Sequence, residues 1–185
     1  MHVATASAHQ LGDGFSVVEL FGAPPRFDSW SDWQRLVDAF CAAGVITDYN
    51  AIHWDIRPHP KFGTLEIRIA DQPSDVARTA AFIAVLHGLC GWGAGQNLPV
   101  PDALRRVVYD QNRWAAARFG PRATFVHPDG DGATAAPELW RELVERIGVD
   151  AVLDPLTCEG DRQLAIGRTD GLEALCAELV ERSVA

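Results

Sequence analysis

Apolar and polar residues change their spacing several times along the chain, and each change marks a predicted element. After Ser29 and Ser31, either of which can cap a helix, apolar side chains recur at helical spacing until Gly44 ends the pattern. Further helices are predicted over Pro73–Ala94, Asp102–Phe119, Pro137–Ile147 and Leu172–Val184. The 73–94 segment is nearly all apolar, so we expect it at the centre of the core.

Strict alternation of apolar and polar residues replaces this helical spacing in two short runs, Ile52–Pro58 and Thr64–Ala70. Such runs, joined by a somewhat long loop, predict an antiparallel hairpin with one apolar and one polar face. The apolar face holds Trp54, Ile56, Leu65 and Ile67, and we expect it to pack on the 74–93 helix. Shorter strands are predicted at Phe15–Phe21 and Arg122–His127, with a flexible loop at 129–136.

These elements predict one α+β domain over residues 15–185, preceded by a loose segment at 1–14. Its small antiparallel sheet contains 52–58 and 64–70, and helices 31–43, 74–93 and 102–119 back that sheet. We find no repeat, no low-complexity tract and no composition change that would mark a domain boundary.

Composition and charge argue against several classes of function. Sixteen basic against 25 acidic residues give a net charge of −9, which argues against nonspecific binding to nucleic acid. The first ten residues lack the basic and apolar regions of a signal peptide, and the apolar stretch 80–92 is too short to span a bilayer. Four widely spaced cysteines indicate thiols of a reducing compartment. We therefore expect a cytoplasmic protein without a membrane partner.

The polar face of the predicted hairpin carries the candidate chemistry, because it gathers Asp55, Arg57, Glu66 and Arg68. One interpretation is a solvent-facing surface with cross-strand ion pairs, each contributing about 0.2–1 kcal/mol. The other is a face that lines a cleft, where a carboxylate holds a hard divalent cation and guanidinium groups hold phosphate oxygens. Alternation alone leaves both open.

The segment Trp54–Asp71, WDIRPHPKFGTLEIRIAD, resembles a signature of the type 2 glutamate–cysteine ligases, also called carboxylate–amine ligases. The resemblance includes GAPPRFDSW at 22–30, NRWAAARFG at 112–120 and, more weakly, GDRQ at 160–163. It covers most of the chain from about residue 15, and it corresponds to the C-terminal half of family members. It implies half of a domain of the glutamine-synthetase-like superfamily.

This resemblance implies an enzyme that uses ATP and Mg²⁺ to join a carboxylate to an amine through an acyl phosphate. Glu66 matches the family's metal-ligand glutamate, and Arg68 matches the arginine that contacts the transferring phosphate. Arg57 becomes a candidate for binding phosphate or a substrate carboxylate. Asp55 could orient Arg57, hold the amine substrate or support the metal from outside its ligand shell.

Outside the hairpin, the resemblance suggests substrate- or ATP-binding roles for Asn112, Arg118 and Arg162. Asn112 and Arg118 lie on the predicted 102–119 helix, where Arg118 is a stronger candidate than Arg113. For Arg113 a solvated helix face remains an alternative, and for Arg162 the alternative is a residue without a binding role.

The family's N-terminal half, with further metal-binding glutamates and an H-x-H-x-G segment, has no counterpart in this sequence. We therefore expect a second protein chain to complete the active site, and strand edges left unpaired favour an oligomer. The alternative is a noncatalytic homologue that scaffolds or regulates a full-length ligase.

Overall fold

The structure, a computed structural model, describes residues 20–71, 73–98, 100–149 and 157–184. By its internal contacts the chain divides at residue 71 into two units, and each is described by itself. The predicted loose segment 1–14 and most of the predicted strand 15–21 lie outside the described residues. Both units contain helices and short strands, which agrees with the α+β class. The single domain and the glutamine-synthetase-like fold stay predictions.

Among the described residues of the first unit there is one α-helix, α1 (Trp30–Ala42), which begins and ends within one residue of its predicted bounds. The Ser29 side chain accepts a hydrogen bond from the Asp32 amide at 3.2 Å and so caps the first turn. Trp33 and Val37, one turn apart, are its buried residues. After the helix Gly44 adopts a φ of +70°, which other residues reach only with strain.

Four short strands form two pairs in the first unit. Strand β1 (Phe21–Gly22) runs parallel to β2 (His53–Trp54), and β3 (Ile56–His59) runs antiparallel to β4 (Thr64–Ile67). Asp55 lies between β2 and β3. Its amide donates to the Gly22 carbonyl and its carbonyl accepts from the Arg68 amide, both at 2.7 Å. The predicted hairpin is confirmed, but its first strand is interrupted at Asp55.

This interruption changes which side chains are buried. Before it, Ile52 and Trp54 enter a core with Trp33 and Val37, where each large apolar side chain contributes about 1.5–3 kcal/mol. After it, Ile56 is 40% exposed while Asp55 and Arg57 are buried, and on β4 Leu65 is 64% exposed. The prediction that Trp54, Ile56, Leu65 and Ile67 form one buried face is therefore wrong for Ile56 and Leu65. The prediction continued the alternation of apolar and polar residues through the bend at Asp55, and it therefore placed these two side chains on the buried side.

The second unit is mainly helical, and its predicted helices are confirmed. Its elements are α2 (Val76–Ala94), α3 (Ala103–Phe119), β5 (Thr124–Val126), β6 (Ala133–Ala135), α4 (Ala136–Ile147), α5 (Glu159–Thr169) and α6 (Gly171–Val184). Helix α3 ends at Gly120, whose φ is +54°. Strand β6 lies in the predicted loop 129–136 and pairs antiparallel with β5. Helix α5 lies in a stretch for which the sequence predicts no helix.

Helix α2 differs from its predicted role. Among its described residues Val85 is buried, while Val76 and Ile83 are more than half exposed, so its expected place at the centre of the core is wrong. It packs against α4 at Gly88, where a Cβ atom would come within 2.8 Å of Val149. Its 19 residues make it long and apolar enough to cross a membrane, unlike the shorter segment considered above. One such helix is weak evidence for a span, because core helices of soluble proteins meet the same criterion.

Candidate functional site

The hairpin brings together three of the predicted site residues, Arg57, Glu66 and Arg68, which we call the hairpin cluster. Arg57 and Glu66 are direct partners in the β3–β4 register. Arg57 donates from Nε and Nη2 to one oxygen of Glu66, Oε2, at 3.1 and 2.6 Å. Arg68 donates from Nη1 to the other oxygen, Oε1, at 2.7 Å. A single carboxylate therefore links two guanidinium groups.

Arg57 is the buried member of the hairpin cluster, with 4% of the residue exposed. Its Nη1 donates to the carbonyl oxygens of Tyr49, Asn50 and Ile52 at 3.3, 2.8 and 2.9 Å. With the bonds to Glu66, four of its five N–H hydrogens are engaged. These bonds offset the cost of removing a charge from water. The guanidinium predicted to bind phosphate or a substrate carboxylate thus binds the protein itself.

Arg68 is the accessible arginine of the hairpin cluster, and 34% of its side chain is exposed. Within the described part of the chain, Glu66 is the hydrogen-bond partner of its guanidinium, so its Nε and Nη2 hydrogens remain for a ligand. Its backbone amide is fixed by the Asp55 carbonyl. Asp55 itself is buried next to the cluster, and its backbone joins β1 to the end of β4.

The electrostatics of the cluster lower the pKa values of two neighbouring groups, Glu66 and His53. Burial acts to raise the pKa of Glu66, but the hydrogen bonds and charges of Arg57 and Arg68 outweigh it and lower that pKa below its ordinary value of 4.5. Burial, with the charges of Arg68 and Arg57, likewise lowers the pKa of His53 below 6.5, so His53 is neutral at pH 7. Counted over its three members alone, the hairpin cluster has two arginines and one carboxylate, and Asp55 is buried beside it.

The cluster fits a metal ion less well. Mg²⁺ requires about six oxygen ligands in octahedral geometry. Within the described residues, no three His, Cys, Asp or Glu side chains lie close enough to hold a metal ion together. Both oxygens of Glu66 are also engaged by arginines. The residues that the structure describes therefore do not form a Mg²⁺ site on their own, and the metal-ligand role of Glu66 stays a prediction.

Asn112 and Arg118 lie on α3 in the second unit. The Asn112 amide group donates to the Val126 carbonyl at 2.8 Å and accepts from the Val126 amide at 2.9 Å, which ties α3 to β5. Arg118 lies in the last turn of α3, with its guanidinium carbon 5.9 Å from the centre of the Phe119 ring. Their ligand-binding roles stay predictions, and the structure gives Asn112 a clear role in the fold.

Arg162 belongs to a second charged group, at the start of α2 and along α5 and α6, which we call the helix cluster. Its members are Asp75, Arg78, Glu159, Arg162, Glu178 and Arg182. Arg162 forms ion pairs with Glu159 and Glu178, and Arg182 pairs with Asp75 at 2.5 Å. Sequence analysis missed this cluster, although the i, i+3 spacing of Glu159 and Arg162 is a helical ion-pair signal. The predicted binding role of Arg162 stays untested.

Comparison with known proteins identifies the family. The model of glutamate–cysteine ligase family 2 matches residues 19–157. A putative glutamate–cysteine ligase 2-3 of Rubrobacter xylanophilus is 38% identical over 133 residues, 72% of this chain and 35% of the relative. The glutamate–cysteine ligase of Haloferax volcanii is 31% identical over 165 residues, 85% of this chain and 45% of the relative.

A third relative, a putative glutamate–cysteine ligase 2 of Leifsonia xyli, is 30% identical over 175 residues, 85% of this chain and 46% of the relative. The chain thus spans less than half the length of these curated relatives. The family model includes the whole hairpin cluster, and it confirms the resemblance drawn from the segment 54–71. The chain belongs to glutamate–cysteine ligase family 2.

Proposed function

We propose that this chain is a subunit of an ATP-dependent carboxylate–amine ligase, and that Arg68 binds the phosphoryl group transferred in its reaction. The observation that carries the proposal is the arrangement of Arg68. Its guanidinium is held by Glu66 at 2.7 Å, is partly exposed and retains N–H donors, in a chain of a ligase family. Guanidinium groups of this kind bind phosphate oxygens through charge-assisted hydrogen bonds.

The proposed reaction has two steps. A carboxylate oxygen attacks the γ-phosphorus of ATP, so that an acyl phosphate forms and ADP leaves. The nitrogen of the amine then attacks the acyl carbon, loses a proton and displaces inorganic phosphate, which leaves an amide. Both steps move negative charge on phosphoryl oxygens, and a preorganised cation beside them lowers the barrier. Arg68 supplies that cation, and Glu66 keeps it in place.

A second protein chain completes the site in this proposal. The chain spans 35–46% of the relatives described above, and its described residues alone do not form a Mg²⁺ site. We assign the remaining oxygen ligands to a partner that carries the family's N-terminal half, so that Mg²⁺ belongs to the cytoplasmic heteromeric assembly. Because the relatives are named glutamate–cysteine ligases, glutamate and cysteine are the first carboxylate and amine to test.

The test is ligase activity of the tagged chain, alone and purified together with the product of the adjacent gene. ADP release that requires both a carboxylate and an amine supports the proposal. Arg68→Ala and Glu66→Gln should abolish most of this activity. Arg35→Ala is the matched control, because Arg35 is an exposed arginine on α1 in the same unit and pairs only locally with Asp32. No ADP release by either preparation, with any pair of substrates, would refute the proposal.

A second candidate is a noncatalytic homologue that scaffolds or regulates a full-length ligase. The engagement of both Glu66 oxygens by arginines favours it, because a site already saturated by protein groups is a poor metal site. This candidate predicts that adding the chain to a full-length ligase encoded nearby changes the rate of that ligase, and that Arg68→Ala leaves the change intact.

A further inference from the structure

We infer that Arg57 is a positioning residue for the ligase reaction, which acts on the phosphate only by fixing Glu66 and, through it, Arg68. This inference rests on the proposed function, because it explains how the phosphate-binding guanidinium is held. It replaces the direct role in binding phosphate or substrate carboxylate that the sequence suggests for Arg57.

The two oxygens of the Glu66 carboxylate are bound by different arginines. Arg57 places two N–H groups on Oε2, and Arg68 places one on Oε1. With Oε2 fixed by a fork, the carboxylate cannot rotate without breaking two charge-assisted bonds. Oε1 is therefore kept pointing at Arg68. A lysine at position 57 would keep the charge but could not form this planar fork.

Arg57 is itself held by backbone carbonyls. Its Nη1 is bound by the carbonyls of Tyr49, Asn50 and Ile52, which belong to a single 3₁₀ turn and the residue after it. Ile52 is fully buried in the core of the first unit, and the Tyr49 ring lies 6.2 Å from the Trp33 ring in an edge-on contact. A continuous set of bonds thus runs from the core through Arg57 and Glu66 to Arg68.

The two guanidinium groups differ in their exposure. The Arg57 side chain is 5% exposed and has four of its five N–H hydrogens engaged, whereas the Arg68 side chain is 34% exposed and donates one to Glu66. A ligand can reach Arg68 without disturbing the protein. To reach Arg57, it would have to break bonds that keep a buried charge satisfied.

The first experiment needs no activity. In the full chain labelled with ¹⁵N-arginine, the order parameter of the Arg68 Nε–H group reports how firmly its side chain is held. Arg57→Lys should lower this order parameter clearly, while Arg35→Lys should leave it unchanged. Thermal unfolding followed by circular dichroism verifies that both variants fold. If Arg57→Lys does not fold, Arg57→Gln tests the same link, because it also removes the fork on Glu66 but leaves no charge buried at position 57. An unchanged Arg68 order parameter in a folded variant would overturn the inference.

The second experiment is a double-mutant cycle in the assembled ligase, with single-turnover formation of ADP as the measurement. Arg57→Lys should slow the wild type by up to about 10²-fold, as misplacement of a reacting group does. In the Arg68→Ala background the same substitution should have little further effect, because its route to the phosphate is already lost. Equal losses in both backgrounds would overturn the inference and show that Arg57 acts directly or through general stability. A wild-type assembly without activity would refute the proposed function, and the order parameter would then decide the inference alone.

Discussion

The two charged groups of this chain, the hairpin cluster and the helix cluster, use the same residue types for different ends. In the helix cluster three arginines meet three carboxylates, so the charges balance and the pairs join the start of α2 to α5 and α6. In the hairpin cluster two arginines share one carboxylate, and one arginine is buried while the other is accessible. Arg68 therefore keeps N–H donors that Glu66 does not engage.

On this difference we base the proposal that the hairpin cluster is a binding site and the helix cluster a structural clamp. The number of charges does not distinguish them in this way, because the helix cluster is the larger group. The distinguishing features are unused donors and an anchor that holds them in place. By these criteria Arg68 is suited to bind a ligand, whereas the guanidinium of Arg162 is engaged by Glu159 and Glu178.

The largest expected effect is on catalysis. In the assembled ligase, Arg68→Ala and Glu66→Gln should each lower the rate of acyl-phosphate formation by about 10²–10³-fold, since one preorganised contact supplies about 2.7–4 kcal/mol of transition-state stabilisation. Arg162→Ala should lower this rate by less than tenfold. Quench measurements of ADP formed in a single turnover give all three values.

Arg113→Ala, from the helix face of α3, is a further control in the same assay and should have a much smaller effect than Arg68→Ala. A loss for Arg162→Ala as large as that for Arg68→Ala would break the comparison between the two clusters. It would make the helix cluster part of the site.

The stability of the chain should depend more on the helix cluster than on an exposed ion pair. Arg162→Ala removes the nearest cationic partner of both Glu159 and Glu178, and it should lower the free energy of unfolding by about 1–3 kcal/mol. Arg35→Ala, which removes an exposed local pair, should change it by no more than about 0.5 kcal/mol. Urea unfolding followed by fluorescence measures both. Equal effects would mean that the helix cluster contributes no more than a surface ion pair.

The helix cluster should also make stability depend on pH through Glu159. Burial acts to raise the pKa of Glu159, but the hydrogen bonds from Arg162 and Ser74 and the charges of Arg162 and Arg182 lower it below its ordinary value of 4.5. A carboxyl with a lowered folded-state pKa stabilises the protein above the unfolded-state pKa, and this is lost as the pH falls through the folded-state value.

The difference in unfolding free energy between the wild type and Glu159→Gln should therefore be constant above about pH 5 and shrink on acidification. Urea unfolding at a series of pH values from 7 to 3 measures it. A difference that stays constant to pH 3 would show that Glu159 gains nothing from its arginine partners.

The smallest expected effect is a change in the pKa of His53. Burial is the main cause of its low pKa, and the charges of Arg68 and Arg57 add to it. Arg68→Ala should therefore raise the pKa of His53 but leave it below 6.5. A titration of the imidazole followed by NMR in the lone chain measures this shift, and Arg35→Ala should not produce it. No shift in Arg68→Ala would show that the Arg68 charge does not act on His53.

Local signals in the sequence predict the elements well. The Ser29 cap and Gly44 give the ends of α1, and the positive φ of Gly120 explains why α3 ends there. The alternation of 64–67 gives β4 and its pairing with β3. In each case the deciding interaction lies within a few residues of the signal.

Interactions between distant residues account for what the sequence does not predict. The bend at Asp55 depends on its bond to the carbonyl of Gly22, 33 residues earlier, and this bend buries Arg57 and exposes Ile56. The alternation of apolar and polar residues within one strand does not indicate such a bond. The same holds for α5, whose glycines disfavour a helix and whose Arg162 bonds to Glu178 on α6.

The sequence predicts which residues form the hairpin cluster, but it does not predict the bonds that hold Arg57 in place. The motif WDIRP…TLEIR places Arg57, Glu66 and Arg68 together, and the structure does the same. The three backbone carbonyls that bind Arg57 come from a turn whose sequence carries no charge beyond Asp48, so the anchor role had no side-chain signal.

The central claim is that a carboxylate is phosphorylated in an assembly that contains this chain. It is tested most directly with glutamate carrying ¹⁸O in its carboxylates, incubated with ATP, cysteine and the assembly. An acyl phosphate transfers one carboxylate oxygen to the phosphate that leaves. We predict inorganic phosphate with one ¹⁸O atom, detected by its ³¹P isotope shift, and much less of it with Arg68→Ala. Phosphate released with ADP but free of ¹⁸O would contradict the claim.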